Sequence, residues 1–129
     1  IGTIAGNLML KHEHREFDSD MFLLLETVGA SLIIKADKGS DVTMSPAEFL
    51  DYDMNKKVLY QIVVPPYDNT YVFKTYKIMP RAQNVHAIVN AGFLFSLDGK
   101  GTVVNKPNII YGGINPKFVS TIQHSSVKT

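Results

Sequence analysis

The chain has 129 residues, of which 45% are hydrophobic and 19% are charged. This length holds one hydrophobic core but not a core plus a separate catalytic module, and the composition excludes an intrinsically disordered chain. With 13 basic and 12 acidic residues the net charge is +1, which is too small to drive binding to nucleic acid or to an anionic membrane.

The chain contains no cysteine. This excludes a disulfide framework, a thiolate nucleophile, an iron–sulfur site and a cysteinyl zinc site, and it fits a reducing, cytoplasmic location. No apolar run approaches the roughly 20 residues of a membrane span, so we expect no membrane association. Because the chain starts at Ile1 without an initiator methionine, we expect that part of a longer protein is missing.

The first thirty residues predict one buried helix. Residues 1–18 have the pattern of a loop, a short apolar segment and a second loop. Ser19 or Asp20 can cap a helix over residues 21–28, and Gly29 is the expected left-handed end. Because this segment is apolar nearly all round, we expect the helix to be buried.

A hairpin and a second helix follow. Residues 30–35 are short and rich in β-branched side chains, and a polar turn leads from them into residues 42–44, which together indicate a β-hairpin. Ser45, Pro46 and Glu48 have the spacing of a capping box with proline at the first helical position. We therefore predict a short helix that runs to about Tyr52.

From Lys57 onwards the pattern predicts long strands at residues 58–64, 71–78, 86–97 and 102–111. Turn residues at 65–69 and 98–101 separate successive strands, which favours antiparallel neighbours. The second half is therefore expected to be a meander. The predicted class is α+β, with an antiparallel β-sheet meander and one or two helices packed on it.

Taken alone, few residues indicate chemistry. The small residues from Thr3 to Asn7 would let a phosphate approach the backbone, although glycine serving only the turn is the better explanation on spacing. His12 and His14 have no third metal ligand at a suitable spacing, which favours a solvated loop. Asp20 is either a helix cap or an acceptor for a ribose hydroxyl, and the cap is favoured.

The other polar candidates lie in the predicted meander. Lys77 and Arg81 flank the end of a strand, where a cation could meet an anionic ring or a phosphate, although exposed basic residues near a turn usually have no specific role. His86 has no serine or carboxylate placed to form a triad, so it is interpreted as an isolated sheet histidine. No catalytic residue is predicted.

Several motifs together resemble a known family. Residues 3–7, followed by 17–20 and 22–26, resemble the middle of the FAD domain of the molybdenum hydroxylases, the xanthine dehydrogenase and aldehyde oxidase family. Residues 76–93 resemble the strand–loop–strand of that domain, and residues 110–114 resemble the strand that enters its C-terminal subdomain. The resemblance is colinear over nearly the whole chain. It implies that residues 1–111 are the middle part of the FAD domain and that residues 112–129 start the C-terminal flavoprotein subdomain or form a frayed tail.

The resemblance also implies a cofactor site. Asp20 would accept hydrogen bonds from ribose or ribityl hydroxyls of FAD, Leu59 would make an apolar contact, and Lys77 would face the carbonyl edge of the isoalloxazine. A cation at that edge favours negative charge on the reduced flavin. The loop that holds the diphosphate would consist of Thr3, Ile4, Ala5, Gly6 and Asn7.

Two departures from the family pattern bear on function. The family's glycine-rich FAD segment and its flavin-packing aromatic residue are missing, so we expect that the first FAD subdomain is absent. The loop between Asn7 and Asp20 is longer than in vertebrate xanthine enzymes, which leaves its course past the cofactor open. In addition, residues 83–86 replace the acidic run of NAD-using xanthine dehydrogenases, which resembles aldehyde oxidase.

The implied function is that of an FAD-binding segment in an aldehyde-oxidase-like molybdenum hydroxylase, with electrons passing from iron–sulfur clusters through FAD to dioxygen. The alternatives are a xanthine dehydrogenase segment that uses NAD, or a non-catalytic interaction module that reuses this subdomain. Molybdopterin and [2Fe–2S] clusters would belong to other modules of the parent, which is expected to be a homodimer. The isolated chain is expected to be inactive, with FAD and the remaining parent domains as its partners.

Overall fold

The structure, a computed structural model, describes residues 2–115 and the backbone of the strand Val119–Ser120. The described helices are α1 (Ile4–Glu13), α2 (Asp20–Thr27) and α3 (Pro46–Phe49). The described strands form two antiparallel sheets, β2-β1-β3 and β4-β5-β6-β7, which confirms the α+β class. The strands are β1 (Ser31–Ala36), β2 (Val42–Met44), β3 (Lys57–Val63), β4 (Tyr71–Ile78), β5 (Val89–Ser96), β6 (Asn108–Gly112) and β7 (Val119–Ser120).

Helix α1 occupies residues that were predicted to be irregular. Thr3 begins it, because the Thr3 side chain accepts a hydrogen bond from the Gly6 amide, as N-cap residues do. The helix buries only Leu8 and Lys11. Since one of these two residues is charged, the hydrophobic periodicity that signals an amphipathic helix is weak here, and the prediction of a loop over residues 4–13 was wrong.

Helix α2 is the central element of the fold, and the prediction for it is confirmed. Ser19 caps it by accepting from the Phe22 amide at 2.9 Å, and Gly29 ends it with a φ of +61°. Phe22 and Leu25 belong to the main core, whereas Thr27 packs against Gly92 of the second sheet. The helix therefore has apolar surroundings on both sides, as its sequence predicts.

The first sheet and the three helices enclose the main core. The predicted hairpin pairs β1 with β2, and the predicted capping box joins Ser45 and Glu48 at the start of α3. That helix ends at Phe49 rather than near Tyr52. The core consists of Leu8, Phe22, Leu25, Ala30, Leu32, Ile34, Met44, Phe49 and Leu50.

The single four-stranded meander predicted for the second half is wrong in one respect, because β3 pairs with β1 in the first sheet. Leu59 and Ile62 of β3 pack against the main core. Pro65 and Pro66 follow the strand, and proline cannot donate to a sheet ladder. The segment between β3 and β4 therefore links two sheets instead of closing a hairpin. Two predicted strands are also shorter than expected, since β5 begins at Val89 and β6 at Asn108.

The second sheet is the meander β4-β5-β6-β7, and one of its faces receives α2. Two glycines on that face make room for side chains. A Cβ at Gly92 would lie 2.1 Å from Oγ1 of Thr27, and a Cβ at Gly112 would lie 2.1 Å from Oδ1 of Asn90. The opposite face carries a row of aromatic rings in contact, namely Tyr76, Phe93, Phe95 and Tyr111.

Candidate functional site

Two adjoining clefts lie at the N-terminal ends of α1 and α2, and the smaller one extends to β4 of the second sheet. The larger cleft, about 600 Å³, is lined by Gly2, Thr3, Ile4, Gly6, Asn7, Leu10 and Met21. The smaller cleft, about 400 Å³, is lined by Asn7, Phe17, Asp18, Asp20, Met21, Lys77, Asn84, Val85 and His86. Asn7 and Met21 line both clefts, which therefore adjoin and are together called the groove.

The start of α1 presents backbone donors to the larger cleft. Thr3 Oγ1 accepts from the Gly6 amide at 3.0 Å, and the Thr3 carbonyl accepts from the Asn7 amide at 3.0 Å. No acceptor among the described residues contacts the amides of Ile4 and Ala5. These N–H groups sit at the positive end of the helix dipole. The predicted phosphate loop is thus a helix N-terminus, which suits an anion as well.

Asp20 joins α2 to the second sheet. Its Oδ2 lies 2.6 Å from Nζ of Lys77, and its Oδ1 accepts a 2.8 Å hydrogen bond from Nδ2 of Asn90. Lys77 and Asn90 are register partners on β4 and β5. The structure thus brings two predicted site residues, Asp20 and Lys77, into direct contact, and both side chains remain partly exposed to the cleft.

The placement of the two helix starts is fixed by a hydrogen bond between them. Ser19 Oγ donates to Oδ1 of Asn7 and also accepts from the Phe22 amide. Ser19 is buried. The residue that caps α2 is therefore Ser19 and not Asp20, and it also joins α1 to α2.

The wall of the smaller cleft also contains Phe17, Asp18 and His86, to which the resemblance assigned no contact with the cofactor. The rings of Phe17 and His86 meet edge to face, with centroids 5.2 Å apart. Burial raises the pKa of the Asp18 carboxyl, against the opposing effects of Lys11 and of a hydrogen bond from the Gly113 amide. Burial likewise lowers the pKa of Lys11.

Some predicted candidates lie elsewhere. Leu59 is opposite Ile34 in the first sheet and packs on the main core, so it lines neither cleft. His12 Nε2 is hydrogen-bonded to the Tyr52 carbonyl oxygen at 2.8 Å, away from any metal-like pairing with His14. Within the part of the chain that the structure describes, no group of three or more His, Asp or Glu residues could hold a metal ion.

Sequence reasoning assigned no role in this site to Phe17, which lines the smaller cleft, or to Asn90, which lines neither cleft but holds Asp20. Only Asn90 could have been noticed in the sequence, because it is a polar residue that shares one face of an apolar strand with Gly92 and Leu94. A buried polar residue in such a position usually has a hydrogen-bond partner. That this partner is Asp20 could not be predicted without knowing that α2 packs on this face of the sheet.

Of the described helices, none is both long enough and apolar enough to cross a membrane.

The comparisons with known proteins agree on the fold. Residues 74–127, less than half of the chain, match the family of the CO dehydrogenase flavoprotein C-terminal domain. No curated protein matches the chain.

Three solved structures share the fold. Carbon monoxide dehydrogenase from Hydrogenophaga pseudoflava, in a form lacking the Mo-pyranopterin moiety of the molybdenum cofactor, is 20% identical with a TM-score of 0.75, over 92% of this chain and 40% of its own. Reconstituted CO dehydrogenase from Oligotropha carboxidovorans is 18% identical with a TM-score of 0.70, over 92% and 41%. Quinoline 2-oxidoreductase from Pseudomonas putida 86 is 25% identical with a TM-score of 0.68, over 94% and 41%.

This chain spans about two fifths of the length of the solved chains. The comparisons do not single out aldehyde oxidase or xanthine dehydrogenase. The chain is therefore similar to the CO dehydrogenase flavoprotein C-terminal domain over residues 74–127, and it shares the fold of part of these solved chains over both sheets.

Proposed function

We propose that this chain binds FAD along the groove and serves as the FAD-binding segment of a molybdenum hydroxylase. The observation that carries the proposal is the set of groups that line the two adjoining clefts. Backbone amides without an acceptor among the described residues lie at the start of α1, which lines the larger cleft, and the ion-paired Asp20 carboxylate and Lys77 ammonium line the smaller one. FAD presents matching groups, namely an anionic diphosphate, a hydroxyl-bearing chain and an electron-accepting ring.

The residues present fit the cofactor. The amides of Ile4 and Ala5, with Gly6 and Asn7 beside them, would hold the diphosphate, because unpaired donors at a helix N-terminus bind anions. Asp20 would accept from ribose or ribityl hydroxyls, and Lys77 would place positive charge near the flavin. Leu59 supports the proposal least, because it faces the main core. FAD, when bound, would supply the redox chemistry that this cysteine-free chain lacks.

For the parent we propose an aldehyde-oxidase-like enzyme, in which electrons pass from [2Fe–2S] clusters to FAD and on to dioxygen. The support is the segment 83–86, which contains no acidic residue. Asn84, Val85 and His86 of this segment line the smaller cleft. Turnover by the full-length protein should then be faster with dioxygen than with NAD. Faster turnover with NAD would instead favour the xanthine dehydrogenase alternative.

The rest of the parent follows from the same proposal. Its other domains, carrying molybdopterin and the clusters, would be the partners of this chain in a cytoplasmic homodimer. The division at residue 112 stays a prediction. Of the tail predicted for residues 112–129, residues 116–118 and 121–129 lie outside the described residues, whereas the strand Val119–Ser120 pairs with β6.

Titration of the chain with FAD, followed by flavin fluorescence, tests the proposal. We expect saturable binding that is micromolar or weaker, because the residues at the start of α1 are exposed whereas good sites bury roughly 70–90% of a ligand. Each 1.4 kcal/mol or so lost costs a tenfold loss of affinity. A nanomolar complex would contradict the expected weakness.

A matched pair of variants makes this titration specific. Asp20→Asn removes a carboxylate from the groove, and Asp41→Asn removes one from a comparable exposed ion pair, Lys35–Asp41, in the first sheet. We expect the first variant to weaken FAD binding by about tenfold, as loss of a hydrogen bond to a charged group does, and the second to leave it unchanged. Equal effects, or no saturable binding by the wild type, would favour the alternative of a non-catalytic interaction module.

A further inference from the structure

The side chain of Asn90 occupies a position where an apolar residue would be expected. Asn90 is 2% exposed and lies on the face of β5 that α2 covers. Its Nδ2 donates to Oδ1 of Asp20 at 2.8 Å, but its own Oδ1 has no hydrogen-bond partner among the described residues. A buried carbonyl oxygen without a donor is costly. The unpaired Oδ1 of Asn90 therefore destabilises the fold, whereas its Nδ2 forms the hydrogen bond to Asp20.

The neighbouring strand is adapted to this side chain. Gly112 is the register partner of Asn90 on β6, and a Cβ there would lie 2.1 Å from Oδ1 of Asn90. With glycine in that place, there is room for Oδ1 of the asparagine while its Nδ2 is directed at Asp20.

We propose that Asn90 is a positioning residue, which rests on the function proposed above. It fixes Oδ1 of Asp20 so that Oδ2 stays directed at Lys77 and at the groove. Without the amide donor, the Asp20 carboxylate is free to turn about its χ2 torsion, and both the acceptor for cofactor hydroxyls and the partner of Lys77 lose their fixed position. Asn90 acts only through Asp20 and does not itself line the groove.

A second asparagine provides a matched control. Asn108 of β6 also holds α2, donating from Nδ2 to the carbonyl oxygens of Glu26 and Thr27 at 3.2 and 2.7 Å, and its Oδ1 also lacks a partner among the described residues. It grips the C-terminal end of the helix, whereas Asn90 grips the N-terminal end. Removing either amide should cost comparable stability, but only Asn90 should affect the groove.

The first arm of the test needs no cofactor. Brief acetylation followed by mass spectrometry compares Lys77 with Lys74, a lysine on the opposite face of the same strand, in each variant. In the wild type Lys77 should react more slowly than Lys74, because Asp20 holds its ammonium. Asn90→Ala should raise the Lys77 rate severalfold, and Asn108→Ala should not. Asn90→Leu keeps the branched shape of asparagine and should also raise the Lys77 rate, so it replaces the alanine variant if that variant folds poorly.

The second arm measures FAD affinity in a double-mutant cycle. Asn90→Leu should weaken binding by about tenfold in the wild-type background, and it should have no further effect when Asp20 is already alanine, because the two act as one unit. Additive effects would show that Asn90 acts independently of Asp20 and would overturn the proposal. So would an unchanged Lys77 rate in both Asn90 variants.

The two arms separate the two proposals. If the wild type binds no FAD but the Lys77 rate responds to Asn90 and not to Asn108, the proposed function fails and the positioning role stands. If FAD binds but neither the rate nor the affinity responds to Asn90→Leu, the function stands and the positioning role is wrong.

Discussion

The two sheets of this molecule bury their side chains in different ways. In the first, the central strand β1 buries Leu32 and Ile34 in one closed core, to which Phe49 of α3 also belongs. In the second, the edge strand β4 is exposed at every position except Val72, and the buried residues Leu94 of β5 and Ile110 of β6 lie on the face that α2 covers. Helix α2 contacts both regions. The burial of the second sheet therefore depends on how well α2 fits against it.

The groove lies at the boundary between these regions and draws from both. Its amides and Asp20 come from α1 and α2, while Lys77 comes from the second sheet. The geometry of the groove consequently depends on the docking of α2 and not on either sheet alone. Substitutions in the closed core, at the contact between α2 and the second sheet, and in the groove should therefore have different effects.

The largest expected effect is in the closed core. Phe49→Ala removes a side chain that is fully buried and should lower the free energy of unfolding by about 3–5 kcal/mol. Tyr76→Ala, in the aromatic row of the second sheet, should change it by no more than about 0.5 kcal/mol, since exposed positions tolerate substitution. Denaturant unfolding of the chain measures both. Comparable losses would mean that the second sheet has a closed core of its own.

The next prediction concerns the docking of α2. Gly92→Ala would place a Cβ 2.1 Å from Oγ1 of Thr27, and overpacking of this kind costs about 1–3 kcal/mol. Gly99→Ala is the control, because nothing lies within 4 Å of a Cβ there. Adding Thr27→Ala to the first variant should recover part of the loss. If Gly92→Ala is as stable as Gly99→Ala, the helix is not packed closely against this sheet.

A smaller effect depends on pH. Burial raises the pKa of the Glu26 carboxyl on α2, against the opposing effect of a hydrogen bond from the Ala47 amide. A carboxyl with a raised pKa in the folded state favours folding when protonated, so its contribution is present at low pH and is lost as the pH rises through the folded pKa. Glutamine can accept the same hydrogen bond without a charge.

Glu26→Gln should therefore gain stability relative to the wild type as the pH rises, and the difference between the two should shrink in acid. Thermal or urea unfolding at a series of pH values checks this. A difference that grows in acid would show that the carboxylate is the form that the fold prefers.

Local signals were sufficient to predict a large part of this fold. The Ser45–Glu48 capping box, the β1–β2 hairpin and the cap and end of α2 each involve residues within a few positions of one another. The membership of β3 could not be predicted in that way, because which sheet a strand joins is decided by distant residues such as Ile34. Helix α1 was missed because Lys11 interrupts its apolar face.

The candidate site, too, could be predicted only in part from local sequence signals. The residues from Thr3 to Asn7, Asp20 and Lys77 were indicated by resemblance, and all of them except Ala5 line one or both of the two adjoining clefts. The contact between Asp20 and Lys77 joins residues 57 positions apart. The bond between Asp20 and Asn90 depends further on the register of β4 with β5 and on the seat of α2. No pattern in the sequence encodes that combination locally.

Lys77 and Asp20 carry opposite charges, so removing one or the other should shift the flavin reduction potential in opposite directions. In the FAD-loaded full-length protein, Lys77→Met should lower the flavin reduction potential, because it removes a cation that favours the negative charge of the reduced ring and leaves Asp20 unneutralised. Asp20→Asn should raise the potential, since Lys77 then keeps its full charge, and the double variant should lie near the wild type. Lys74→Met, on the opposite face of β4, controls for loss of a lysine in general. The shifts should be modest because both side chains are partly exposed and solvent screens them. Potentials that move in the same direction for Lys77→Met and Asp20→Asn would show that the two residues do not act on the flavin through their charges.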